Sequence, residues 1–265
     1  MQWKYIAPTL STSGFVRTGT TCSWSDGGST TIGELSVELG TYYINKTECI
    51  KDYVKLFDFS DPTKIPDAVQ SKLEEKSASD IRKEAEANYW KGKVLLPFTG
   101  STGGTYTASL FNGFVAQLNG VATEIAGTTL SSSNIVAQLN RVFNAASTEL
   151  QAIATDSPDK VIFWVSYAAE NYLKDALAVQ GINTTDKAYR AMHKNIEVRG
   201  VNLFTNVIVF GLREDYHFPS NIGLDDARID MISMVPQGED NIRLKASYRY
   251  ACLAVNPSQH VLYGF

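Results

Sequence analysis

The sequence predicts an α+β fold, with helices and antiparallel strands segregated along the chain instead of alternating. Three observations predict it. Residues 160–181, KVIFWVSYAAENYLKDALAVQG, step from an apolar run to a helical period. Val161, Ile162, Phe163, Trp164 and Val165 read as a strand buried on both faces; Tyr172, Leu173, Ala176, Leu177 and Gln180 then recur at three and four, and Gly181 stands where the helix would end. Leu35, Val37 and Leu39 alternate with Glu34, Ser36 and Glu38, the pattern of a half-buried strand. Near the carboxyl end, Leu244, Ala246, Tyr248 and Tyr250 alternate with Arg243, Lys245, Ser247 and Arg249 in a long strand over 242–255.

Taken in order, residues 1–13 read as extended or irregular, because Pro8 and a Ser/Thr cluster block helix. Residues 15–24 suit a strand, and Ser25-Asp26-Gly27-Gly28-Ser29 is a turn, since glycine tolerates positive φ. With the limb holding Leu35, Val37 and Leu39 they predict a long hairpin with one apolar face. A hairpin alone is marginal in water, so that face must meet the rest of the fold or a neighbouring subunit. A short helix is expected over 48–59, using Ile50, Tyr53, Val54 and Phe57. A long helix follows over 66–91, opened by Pro66 at its first turn. Its narrow stripe of Val69, Leu73, Ile81, Ala85 and Tyr89, interrupted at Ser77, predicts a helix lying across a surface. Lys76 with Asp80 and Arg82 with Glu86 place opposite charges at helical spacing, the ordinary pattern of a solvated face.

The glycine-rich stretch 98–105 precedes a helix, but a phosphate loop needs a lysine after its last glycine, and Thr105 stands there. It reads as a connector. Two amphipathic helices are expected next: one with Leu110, Phe111, Phe114, Val115, Leu118, Val121, Ala122 and Ile125 on its face, the other running from Ile135 to Leu150 behind an N-cap at 131–133. Beyond Gly181 the pattern predicts a short helix over 184–193, two strands within 196–211, an apolar segment over 228–235 and a last short strand over 260–265.

At 265 residues, 44% hydrophobic and 20% charged, the chain can bury a large core, and disordered and collagen-like classes drop out. A net charge of -4 without a basic cluster argues against an electrostatically driven nucleic-acid binder. Cys22, Cys49 and Cys252 are odd in number and far apart, which suits free thiols better than a disulfide framework or a zinc site. No run reaches the roughly 18 apolar residues of a membrane helix, and the start lacks the pattern of a secretory signal.

Catalytic chemistry finds little support. Histidine, the commonest general base, occurs only at His193, His217 and His260. Glu214-Asp215-Tyr216-His217 spaces Glu and His three apart, as in di-iron bundles, but that geometry needs a helix and a second copy, and Pro219 follows closely. Asp225, Asp226 and Asp230 lack the interleaved ligands of a calcium loop. No catalytic residue, cofactor site or metal site is expected, and a structural role is.

The order of parts, an extended arm, a long hairpin, a long surface helix ending in Trp90-Lys91-Gly92, an inserted α/β region and a terminal strand, resembles the major capsid proteins of tailed bacteriophages. Local likeness to capsid proteins of phages and prophages of gut Bacteroidetes lies at Cys22-Ser23-Trp24 to Cys49 with Lys51-Asp52, at Trp90-Lys91-Gly92, and at 161–176 with Gly200-Val201-Asn202-Leu203. The resemblance implies the Hong-Kong-type capsid fold: an N-terminal arm over 1–14, an extended E-loop over 15–45, a peripheral domain over 46–93 with a spine helix at 66–91, an axial domain over 94–238, and a return to the peripheral domain over 239–265. It implies an icosahedral shell of self-associated hexamers and pentamers around double-stranded DNA, assembled in a bacterial host cytoplasm, with scaffolding, portal and decoration proteins as further partners. The assembly residues it implies are Trp24, Asp26, Gly27, Gly28, Leu35, Val37 and Leu39 on the hairpin and Arg82, Glu86 and Trp90 on the helix. Some relatives crosslink through a hairpin lysine; residues 18–45 contain none, so covalent chain-mail is not expected. An acidic helical scaffolding segment is also missing from the N-terminal stretch, so scaffolding is expected from a separate protein or a lost leader.

Overall fold

Alternating side chains fix the first element. In a computed structural model, which describes residues 4–13, 29–49, 67–92, 111–181, 190–220, 229–234 and 241–264, Lys4–Ser13 (β1) pairs antiparallel with Ser29–Glu38 (β2). An antiparallel ribbon therefore exists, but the limb facing β2 is β1, which the sequence marked as extended or irregular without giving it a partner. Pro8, which with the Ser/Thr cluster argued against helix, lies opposite Glu34, and a two-stranded ribbon tolerates proline because each strand is an edge. Residues 15–24 and the 25–28 turn lie outside the described residues.

Gly40–Cys49 (β3) follows directly and takes Glu48 and Cys49 out of the expected 48–59 helix; the rest of that segment is outside the described residues. Asp67–Lys91 (α1) is the expected long helix. Leu73, Ser77, Ile81 and Ala85 are buried at intervals of four, with Ser77 continuing the stripe it was expected to interrupt.

The amphipathic segment expected over 110–125 forms only the short helix Phe114–Leu118 (α2) and then a strand, Thr123–Ile125 (β4). Gly120 at φ 74° turns the chain where a helix would have had to continue, and β4 finds a parallel partner in the C-terminal strand. The next expected helix is two, Ile135–Ala145 (α3) and Thr148–Asp156 (α4). Ser147 restarts the chain between them: its Oγ accepts from Leu150 N at 3.2 Å. The cap of α3 is Asn134, not a serine of 131–133.

Val161–Ser166 (β5) is buried at all six positions, as an all-apolar run requires. Tyr167–Val179 (α5) follows with Ser166 as its cap, and Gly181 at φ 83° ends it. Met192–His193 (β6) replaces the end of the helix expected over 184–193. It turns back through Lys194 and Asn195, both at positive φ, a two-residue hairpin that pairs it with Ile196–Val201 (β7). Ile208–Leu212 (β8), Tyr216–His217 (β9), Ile229–Ser233 (β10), Asn241–Tyr250 (β11), Leu253–Ala254 (β12) and Val261–Tyr263 (β13) complete the described strands.

The largest sheet has the order β4-β13-β8-β5-β7-β6, so β5 sits inside it between an antiparallel and a parallel neighbour. One face packs under α3, α4 and α5, through Leu139, Leu150 and Leu173; the other meets the end of α1 and α2 through Trp90, Phe114 and Trp164. A second sheet, β10-β11-β3, joins the strand after the hairpin to the long terminal strand. The pairing cuts across two expected boundaries. β13, placed with the 239–265 return, belongs to the large sheet, and β10, placed within 94–238, pairs with β11.

Candidate functional site

The base of the hairpin and the long helix α1 meet the body of the protein in different ways. Leu35, Val37 and Leu39 are half-buried while Ser36 and Glu38 are exposed, so the expected apolar face is real. Val37 and Leu39 pack against the core that contains Trp90 and Tyr250. The hairpin's base therefore rests on its own subunit.

Along α1, Gln70, Ser71, Lys72, Glu75, Lys76, Arg82, Lys83 and Glu84 are exposed on the face away from the buried stripe. Past Ala85 the helix is enclosed. Trp90 is 1% exposed, with its ring centroid 5.0 Å from those of Phe114 and Trp164 and 5.9 Å from Tyr216. Its expected place on the assembly surface is thus corrected: tryptophan's large apolar area has gone to the core of its own chain.

Asn88, which the sequence reading passed over, donates from Nδ2 to the Tyr250 hydroxyl within that core, tying α1 to β11. Its spacing could have marked it: three residues past Ala85 and seven past Ile81, it puts an amide on the buried stripe of the helix. Gly113 N donates to Gly92 O at 2.8 Å, and a Cβ on Gly113 would come within 2.5 Å of Gly92 N, so these backbones can touch only without a side chain there.

Glu86 is half-buried and does not serve the exposed charge pattern. Its Oε1 accepts from the Tyr167 hydroxyl at 2.6 Å and from Asn202 N at 3.1 Å. One turn on, Lys91 Nζ donates to Asn202 Oδ1 at 2.7 Å. Burial pushes the Lys91 pKa down, partly offset by Glu86. Tyr167 is pushed up to about 12, first by burial and then by the Glu86 carboxylate that its hydroxyl bonds. Glu86, Lys91, Tyr167 and Asn202 together fasten the last turns of α1 to the start of α5 and the end of β7.

Of the expected assembly residues, Arg82 is exposed on α1; Trp24, Asp26, Gly27 and Gly28 lie outside the described residues. The structure does not bring the hairpin set and the helix set into one cluster: Val37 and Leu39 reach only the buried neighbourhood of Trp90. The catalytic alternative fares worse. Glu214 is exposed, Asp215 is buried and hydrogen-bonded to Asn256, and His217 lies in β9 opposite Leu253. Among the described residues no three His, Cys, Asp or Glu side chains converge as a metal would require, and Asp225 and Asp226 are outside them.

No protein-family model matches the sequence, and no curated protein does. Solved structures do match, over the whole chain. The fold is that of a phage capsid subunit. A structure of the satellite phage P4 procapsid including size determination (Sid) protein is similar with a TM-score of 0.59 at 11% identity, covering 100% of this chain and 82% of that one. The capsid of an empty GTA particle computed with C5 symmetry gives 0.55 at 14% identity over 99% of this chain and 84% of the other. Gordonia phage Cozz gives 0.55 at 9% identity over 98% and 80%. In this capsid fold the mixed α+β architecture expected from the sequence is in place, with a ribbon at one end, a long helix and a sheet-centred body.

Proposed function

We propose that this protein is the structural subunit of an icosahedral phage or prophage capsid, assembling with copies of itself as hexamers and pentamers around double-stranded DNA. The likeness to capsid subunits across nearly the full length of the chain carries the reading. The physical features support it. A two-stranded ribbon and a helix whose first turns bury one residue in four leave surface that neighbouring copies can cover. Head-to-tail contacts of this kind close into rings, and obligate ones bury on the order of 2,000 Å² or more. A net charge of -4 suits a wall that encloses a polyanion without adhering to it.

In this reading the ribbon β1–β2 with the residues between its strands is the E-loop, α1 the spine helix, the β10-β11-β3 sheet the peripheral domain and the six-stranded sheet the axial domain. Trp24, Asp26, Gly27, Gly28, Leu35 and Arg82 are the proposed contact residues toward neighbouring copies, and Bacteroidetes phages are the proposed source of the nearest relatives. The subunit catalyses nothing, binds no cofactor, and meets scaffolding, portal and decoration proteins as separate chains in the virion.

Negative-stain electron microscopy and light scattering of the purified protein test this. Rings or closed shells are expected; a particle that stays monomeric at high concentration overturns it. A cellular cargo-compartment shell of the same fold is distinguished by neighbouring genes, which would encode a packaged enzyme in place of terminase and portal.

A further inference from the structure

The strongest unassigned chemistry lies where the large sheet meets the short β9–β12 pair. His260 stands immediately before β13 and Asp215 immediately before β9, and both are buried, at 1% and 3% exposure. His260 Nδ1 lies 2.8 Å from the carbonyl oxygen of Asn256, which can only accept, so Nδ1 bears the ring proton and Nε2 presents a lone pair. Asp215 Oδ1 accepts from Asn256 Nδ2 at 2.9 Å. Asn256 thus fixes both groups, one through its backbone and one through its amide. The remaining atoms, His260 Nε2 and Asp215 Oδ2, face each other at 3.8 Å, and neither has a hydrogen-bond partner.

Two acceptors opposed in a buried place cost free energy until a proton lies between them. The imidazole cannot swing aside easily. The Tyr216 ring stands edge-on to it at 5.1 Å, the Gly211 backbone closes the other side so tightly that no Cβ would fit, and Thr123 N donates to the His260 carbonyl at 2.9 Å. We propose that Asp215 and His260 form a one-proton latch, in which a single proton held between Oδ2 and Nε2 draws the two atoms from 3.8 Å to hydrogen-bond distance and fastens β13 to the β9–β12 junction.

The surroundings favour one proton and resist a second. Around Asp215, Glu214 raises the affinity for a proton and His217 lowers it, while Tyr216 stays neutral through burial. β8 contributes only the Gly211 backbone, and among the described residues no lysine or arginine bonds to either group. Burial pushes Asp215 upward and pushes His260 down to about 4, with the Asn256 bond opposing each shift in the direction of its charged form. The sign of the pH effect follows. A histidine lowered from 6.5 to about 4 gives stability that is whole above 6.5 and is lost as pH falls toward 4. Asp215, raised, works the other way and returns part of it near the lower end. Because the folded state holds the latch proton, the two effects oppose each other over that window, and the unfolding constant should rise by clearly less than about tenfold per pH unit from this site.

Nitrogen-15 imidazole NMR of the full chain tests the latch, with His260→Gln assigning the resonance, or His193→Gln and His217→Gln by elimination if that variant does not fold. The expected signature is an Nδ1–H tautomer that stays neutral well below pH 6; titration near 6.5, or an Nε2–H tautomer at pH 7, overturns it. Urea unfolding at pH 7 provides the second arm. Asp215→Asn offers a permanent N–H to Nε2 while its oxygen still accepts from Asn256, so its unfolding constant should stay within about twofold of the parent; Asp215→Ala should raise it about tenfold or more. Equal damage from both variants would make Asp215 a merely structural side chain and defeat the proposal. The latch lies inside a single subunit, so these outcomes are independent of whether shells form.

Discussion

Strand β5 and helix α1 obey opposite rules of burial. All six residues of β5 are buried, whereas over residues 70–84 of α1 only Leu73, Ser77 and Ile81 are. The strand is completed by its own chain: Phe163 stacks on Phe210 with centroids 4.3 Å apart, and helices cover both sides of the sheet. The helix is completed by its own chain only from Ala85 onward, where Ala87, Asn88, Trp90 and Gly92 are also buried. A sheet buried on two faces makes a stable body, while a helix buried on one narrow stripe makes a rail to which other surfaces can attach. The change of rule within α1 marks where the body ends.

The largest effects should fall on the body. Phe163→Ala should cost about 3–5 kcal/mol, as should Trp90→Ala, because each removes a large ring from a close-packed core. Urea unfolding of the isolated subunit measures both. Trp90 is the sharper case. Loss of assembly with the subunit's stability intact would return Trp90 to the surface and erase the boundary drawn at Ala85. Asn88→Ala comes next, at about 1–3 kcal/mol, since it removes a buried amide and its hydrogen bond to the Tyr250 hydroxyl. An unchanged unfolding midpoint would show that α1 and β11 are held by packing alone.

The same contrast explains what could be read from the sequence. The body was legible where one element saturates its own pattern. Val161–Ser166 and Tyr167–Val179 came out at their expected places because apolar runs and helical periods are local signals. The segment around Phe114 was not, since the same apolar residues suit a helix or a buried turn and strand; Gly120 and a partner strand more than a hundred residues away decided it. Lys4–Ser13 was read as extended or irregular, but its pairing with β2 was not legible: Pro8 and the Ser/Thr cluster exclude helix without naming a partner, and partnership is a property of the fold. The long helix α1 was visible as a stripe, but two of its expected contact side chains were misread. Trp90 and Glu86 looked like surface contacts, and only the positions of Trp164, Tyr167 and Asn202 show that both face their own subunit.

Glu86→Gln tests the fastening at the boundary with a spectroscopic readout. Tyr167 is pushed up from 10.0 to about 12, first by partial desolvation of its hydroxyl, with Glu86 adding both its hydrogen bond and its charge. A phenol raised in this way gives stability that is complete below 10 and disappears as pH climbs to about 12. An amide at position 86 still accepts the hydroxyl proton but has no negative charge, so phenolate absorbance from Tyr167 should appear at lower pH, with Tyr167→Phe assigning the signal. A titration identical to the parent would mean that burial alone sets the shift and that Glu86 is not part of the joint.

Arg82→Ala should have the smallest effect on the subunit and the most instructive one on assembly. Arg82 is exposed on the uncovered face of α1, four residues before Glu86, whose Oε1 is already engaged by Tyr167 and Asn202. Removing an exposed cation changes folding stability by about 0.5 kcal/mol or less. If neighbouring copies complete this face, the same change should slow shell formation, followed by light scattering, and the difference from the parent should shrink as salt is raised, because only charges across an open interface are screened so readily. Unaltered assembly at every ionic strength would leave the rail without its proposed partner at this position and shift the contact toward the N-terminal turns of α1, where Lys72 and Lys76 are also exposed.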